Sequence, residues 1–122
     1  MKEQQLNLLL SAARAASTGA HAPYSGFRVG AAVLDAAGNI HLGCNVENAS
    51  YGLTSCAERN ALAAARAVGS SEFQAILIYV PGETVFEPCG ACRQVMLELM
   101  PEGAPVFSTS DSDRRSWTVG EL

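Results

Sequence analysis

Histidine is nearly absent from this chain: His21 and His41 are the only two in 122 residues. Neither stands beside a cysteine, so both are read as incidental and not as metal ligands. Basic residues are also scarce, with 8 Lys and Arg against 12 Asp and Glu and a net charge of −4. No basic stripe is available to neutralise phosphates, which argues against a nucleic-acid polymer as partner. No apolar run approaches the length of a membrane span, and no signal-peptide pattern precedes the polar start Lys2-Glu3-Gln4-Gln5. Repeats, low-complexity tracts and linkers are missing too. These absences predict one domain over residues 1–122 in the cytoplasm, with a core burying about two thirds of the unfolded surface.

The cysteines carry the strongest signal. Cys56-Ala57-Glu58-Arg59 is answered downstream by Pro88-Cys89-Gly90-Ala91-Cys92, and each stretch precedes a helix-favouring run. If both are helix starts, three thiols and a carboxylate occupy the first turns of two helices. Unpaired N–H groups and the positive end of the macrodipole suit thiolates there. Three thiolates suit a soft cation such as zinc and leave a fourth position for water. Side chains lean back toward a helix N-terminus, so Glu58 can reach that water without being a ligand. A lone C-x-x-C is shared with redox motifs and structural zinc knuckles. C-A-E followed by P-C-x-x-C together matches the signature of zinc-dependent base deaminases, with Cys in the first ligand position. Clustering around Glu58 favours metal over two disulfides, and hence a reducing compartment.

Apolar spacing predicts a helix over about Lys2–Ser17, from Leu6, Leu9, Leu10, Ala13 and Ala16. A turn-rich loop with Tyr24 and Phe27 follows; these aromatics cap the core or form a platform for a flat ligand. Arg28–Asp35 and Ile40–Val46 read as a hairpin, and Gly30 and Gly43 within it suggest close approach of a neighbouring backbone or ligand. Asn45 and Glu47 share one face of the extended chain. They suit either a vicinal diol or water. A second helix is expected over about Cys56–Val68, ended by Gly69. Phe73–Val80 reads as a central strand covered on both faces. A third helix over about Ala91–Met100, a short strand over Ala104–Thr109 and a weak last segment over Trp117–Leu122 complete the pattern. The alternation predicts a mixed sheet with helices packed against it.

With these pieces in view, the chain resembles the short, three-cysteine, homotetrameric cytidine deaminases. The resemblance rests on Ala22-Pro23-Tyr24-Ser25 with Phe27, Val29-Gly30-Ala31-Ala32, Gly43-Cys44-Asn45-Val46-Glu47-Asn48-Ala49, Cys56-Ala57-Glu58-Arg59 and Pro88-Cys89-Gly90-Ala91-Cys92-Arg93-Gln94-Val95. It implies an α/β fold, a three-layer α/β/α sandwich around a mixed five-stranded sheet. It implies one Zn²⁺ per chain held by Cys56, Cys89 and Cys92, Glu58 as proton shuttle, and Arg59 donating to the sulfurs. Asn45 and Glu47 would hold the ribose, Phe27 would pack on the pyrimidine, and Ala57 would offer backbone to the base. Tyr24, Ala49 and Tyr51 would build site walls across subunit boundaries. The implied reaction is hydrolytic deamination of cytidine and 2′-deoxycytidine, with release of ammonia, in pyrimidine salvage. Family members continue past a Glu-Leu pair to an aromatic that closes a neighbour's site, whereas these residues end at Glu121-Leu122. A wetter site and a raised KM are therefore expected unless Trp117 fills the gap.

Three rivals remain in view. A structural Cys₄ module would take Cys44 as fourth ligand and leave Glu58 idle. A thiol–disulfide oxidoreductase would use Cys89 and Cys92 and leave Cys56 without purpose. An aminonucleoside-antibiotic deaminase would share the zinc core but is expected to lack the Asn-x-Glu pair. Cys44 itself is expected to be a buried thiol or part of the site wall.

Overall fold

The computed structural model describes residues 1–122 and contains one mixed five-stranded sheet. Helix α1 spans Glu3–Ser17, followed by strands β1 (Gly30–Asp35) and β2 (Ile40–Cys44). Helix α2 (Ala57–Ala67), β3 (Phe73–Tyr79), α3 (Gly90–Leu99), β4 (Pro105–Thr109) and β5 (Arg114–Thr118) complete the chain. The order across the sheet is β2-β1-β3-β4-β5. Only β3 and β4 run parallel, and α3 makes the crossover between them.

Helix α1 lays Leu6, Leu9 and Ala13 on one face of the sheet against Ala32, Leu34, Ala75 and Leu77. On the other face, Ala57, Ala61, Leu62 and Ala65 of α2 join Cys92 and Met96 of α3 over Ala31, Val33, Ile76 and Val106. Both layers bear on β1, and every residue of that strand is buried. Small residues make this possible. A Cβ on Gly30 would stand 1.8 Å from the Ala13 carbonyl oxygen, and one on Gly43 would stand 2.3 Å from the Ala61 nitrogen. The close approach anticipated at both glycines is a helix backbone in each case.

Two segments depart from expectation. Residues 27–29 lie outside β1, yet they are held as firmly as a strand, because the Asn45 amide stands in for a ladder partner. Its Nδ2 donates to the Phe27 carbonyl at 2.8 Å and its Oδ1 accepts from Val29 N–H at 2.9 Å. The last segment is a full edge strand, β5, that starts three residues before Trp117 and pairs antiparallel with β4 from Thr109↔Arg114 to Pro105↔Thr118. Arg114, Arg115 and Ser116 are exposed, so no apolar alternation marks the strand. His41 also has a defined place. It lies 2.9 Å from Asp35, whose carboxylate accepts from Ala37 and Asn39 N–H and from Ser70 Oγ as well. His41 first, then those donors, holds Asp35 down at about 2. This cluster pins the β1–β2 turn at the end of the sheet away from the cysteines.

Candidate active site

Cys56 is the N-cap of α2 and Cys89 the N-cap of α3, while Cys92 lies one turn into α3. The Cys89 sulfur accepts from Cys92 N–H, the usual role of an N-cap oxygen. The two helices pack side by side on one sheet face, so their N-termini converge. All four cysteines are free thiols. The sulfurs of Cys56, Cys89 and Cys92 lie within 4.8 Å of one another, with Cys56–Cys89 at 3.8 Å and Cys89–Cys92 at 3.3 Å. Zn–S bonds of about 2.3 Å at tetrahedral angles put ligand sulfurs about 3.8 Å apart. The donor set, its spacing and the two helix dipoles fit one zinc.

Arg59 Nη2 donates to the Cys56 sulfur at 3.4 Å and to the Thr54 carbonyl at 3.3 Å. The hydrogen bond with Cys92, and then Arg59, draw the Cys56 thiol down to about 5. The same bond and burial push Cys92 up. The Arg59 guanidinium beside the Cys56 sulfur can offset part of the negative charge that thiolate ligands bring.

Glu58 sits in the first turn of α2 and is only 6% exposed. Burial first, and the neighbouring Cys56 charge next, raise its carboxyl above the usual carboxylate range. A carboxyl raised in this way suits a group that takes up and gives back a proton near neutrality. Glu58, Cys56 and Cys89 open into one cleft of about 310 Å³, with Ala57, Phe27, Asn45 and Glu47 on its walls and Ile78 and Val80 among its apolar lining.

Glu47 also organises the loop before β1. Its carboxylate accepts from Tyr24 N–H, Ser25 N–H and the Ser25 hydroxyl, which hold its pKa low, the hydroxyl most of all. Asn45 is 8% exposed and fixes Phe27 from the other side. The pair therefore faces the cleft and at the same time frames the loop that carries Phe27. Each keeps capacity for a further hydrogen bond.

The remaining candidates lie elsewhere. Tyr24 and Tyr51 make an edge-to-face pair at 6.4 Å beside a separate hollow bordered by Glu47 and Thr54. Ala49 is exposed and borders neither cavity. Cys44 is only half-buried and does not wall the cleft. Gly43 faces α2, so Cys44 beside it points to the other face, near Gly19. Trp117 does not reach the cleft either; its ring lies 4.9 Å beneath the Arg115 guanidinium. The aromatic that sequence reasoning missed is Phe86, which lines the cleft and meets Phe27 edge to face at 5.7 Å. It belongs to a loop without periodicity, and its only sequence signal is a lone aromatic three residues before Cys89.

The chain matches the family model of the cytidine and deoxycytidylate deaminase zinc-binding region over residues 2–107. It is 46% identical over 116 residues to a cytidine deaminase of Halalkalibacterium halodurans, covering 94% of this chain and 88% of that one. It is 45% identical over 98 residues to a cytidine deaminase of Mycobacterium tuberculosis, covering 80% of this chain and 74% of that one. The crystal structure of cytidine deaminase from Burkholderia pseudomallei superposes with a TM-score of 0.91 at 46% identity, over 99% of this chain and 95% of that one. A Bacillus anthracis cytidine deaminase shares the fold at a TM-score of 0.73 and 16% identity, over 98% of this chain and 86% of that one. With its sulfur cluster, buried carboxylate and α/β/α layers, the chain belongs to the cytidine and deoxycytidylate deaminase family.

Proposed function

We propose that this protein is a zinc-dependent cytidine deaminase that converts cytidine and 2′-deoxycytidine to uridine and 2′-deoxyuridine, with release of ammonia, in pyrimidine salvage. The observation that carries this reading is Glu58, a buried carboxyl opening into the same cleft as Cys56 and Cys89. Cys56, Cys89 and Cys92 would hold the zinc, which when bound would supply the Lewis acidity that makes water a nucleophile at neutral pH. Glu58 takes a proton from that water and delivers it to N3 of the base. Attack of the remaining hydroxide at C4 makes the carbon tetrahedral. Glu58 then takes the second proton from that oxygen and passes it to the amine, so that the C4–N bond breaks, ammonia leaves and the C4 carbonyl of uridine forms. Arg59 stabilises the sulfur charge, Phe27 and the aliphatic wall seat the base, and Asn45 and Glu47 receive the sugar hydroxyls. Ala57 presents backbone to the base.

The full assembly belongs to the same proposal. Tyr24, Tyr51, Leu53 and Val46 are 55%, 77%, 70% and 46% exposed, and Tyr24 and Tyr51 border a hollow that shares Ser25, Glu47 and Thr54 with the cleft. We infer a homotetramer in which this surface, with Ala49, meets a neighbouring copy. No helix is long and apolar enough to cross a membrane, and the proposed location is the cytoplasm. Residues 1–122 are taken as one catalytic domain.

Glu58→Gln tests the mechanism. It keeps size and polarity but cannot carry protons, so zinc content should stay at one per chain while turnover of cytidine falls by at least roughly 10²–10⁴-fold. Near-native turnover in this variant would rule the mechanism out. Retained zinc without any cytidine turnover in the native protein would favour a structural zinc module instead.

A further inference from the structure

The cleft has a second aromatic wall, and part of its support comes from residues 110–117, which none of the sequence motifs includes. Phe86 is 46% exposed and Phe27 51% exposed, and both rings face the cleft. Their planes meet at 67° with centroids 5.7 Å apart. At that spacing nothing flat fits between them. Instead they form a corner, in which a heterocycle lying on one ring directs its edge at the other. Two large rings left half-open above an aliphatic floor favour a flat, weakly polar ligand.

The loop that carries Phe86, residues 81–88, is pinned on both sides of it. Toward β3, Asp111 accepts from Gly82 N–H at 2.8 Å and returns its own N–H to the Gly82 carbonyl at 2.8 Å. The Glu83 carbonyl accepts from Ser110 Oγ at 3.2 Å and Ser112 Oγ at 3.3 Å. Toward α3, the Glu87 carboxylate is shared by Arg93 at 2.8 Å and Arg115 at 3.4 Å, and Arg93 Nε also donates to the Pro88 carbonyl at 2.8 Å. Arg115 is itself steadied by the Trp117 ring beneath it. A single exposed ion pair contributes little, but a carboxylate gripped by two guanidiniums, each held elsewhere, fixes a direction.

We propose that Phe86 contacts the pyrimidine base as the second aromatic wall of the site, and that Arg115 is a positioning residue that acts through Glu87 to hold Phe86 against Phe27. This rests on the cytidine deaminase reading above. Because Phe86 touches the base alike before and during reaction, its loss weakens binding without slowing chemistry. Arg115 does not line the cleft, so on this proposal its effect reaches the base through Glu87 and Phe86.

The test is a double-mutant cycle on the zinc-loaded protein, with steady-state kinetics on cytidine. Phe86→Ala should raise KM about 10-fold with kcat and zinc content unchanged. Phe86→Leu keeps bulk without the ring face and should raise KM as well. Arg115→Ala should raise KM about 3-fold, Arg115→Lys should restore most of it, and Arg115→Ala should add nothing in the Phe86→Ala background. An unchanged KM in both Phe86 variants overturns the proposal. So does an Arg115 effect that is equal in the two backgrounds. A native protein that does not deaminate cytidine would bring down the functional reading instead, a result visible before any variant is made.

Discussion

Cys56, Cys89 and Cys92 differ from Cys44 in direction more than in burial. The three point into the meeting of two helix starts, while Cys44 points to the opposite sheet face. Changing any one of the three to Ala should remove zinc and activity together, whereas Cys44→Ala should keep both. Metal analysis of the four variants checks this, and loss of zinc in Cys44→Ala would reassign the ligands. Glu47 leads to a different measurement. If it and Asn45 receive the sugar, free cytosine should be a very poor substrate beside cytidine. Glu47→Ala should weaken nucleoside binding by about 1–3 kcal/mol, with some further loss because the same carboxylate fastens the loop before β1 through Tyr24 and Ser25. Equal use of cytosine and cytidine by the native protein would show that the pair has another task. The residues that announced themselves in the sequence are those whose chemistry is rare and local, such as a thiol or a carboxylate near a helix start. Phe86 and Arg115 did not, because their roles exist only where a loop meets an edge strand from another part of the chain.

At the scale of elements, the site is made by how closely α2 can approach the sheet. Gly43 sets that distance, since a Cβ there would lie 2.5 Å from the Ala57 carbonyl and 2.3 Å from the Ala61 nitrogen. Both are backbone atoms of α2, so no side-chain rotation relieves the clash. Gly43→Ala should push the start of α2 off β2, destabilising the protein by roughly 1–3 kcal/mol or more and lowering zinc content as Cys56 moves from Cys89. A thermal melt and a metal assay on one preparation check both, and full zinc with an unchanged melt would show that the helix has slack. The glycines were legible as sites of close approach because a glycine inside a strand has few other reasons to be there. The approaching element was not, since the sequence names the gap and not what fills it. Strand β5 stayed hidden for a related cause. Its outer residues are Arg114 and Arg115, and edge strands favour such charge because it discourages pairing with other chains.

For the molecule as a whole, the sequence supports helix and strand alternation well and sheet order poorly. Local spacing gives three helices and four of the five strands. The placement of β1 between β2 and β3 depends on pairings such as Leu34↔Ala75, which no local pattern records. The same remoteness has a kinetic consequence. Cys56 and Cys89 are 33 residues apart, on helices that the sheet sets side by side. Neither helix can bring its sulfur to the other until β1–β3 and the parallel β3–β4 pair have closed, which are slow, non-local steps. The zinc site should therefore be absent from the folding transition state. Stoichiometric zinc would leave the refolding rate near its value in chelator and act almost entirely by slowing unfolding. Stopped-flow refolding and unfolding with and without the metal would read this directly, and a marked acceleration of refolding would place the sulfur cluster in the nucleus. On this account the metal works as a rivet set after assembly: a chain stripped of zinc should still find its fold, and lose it sooner.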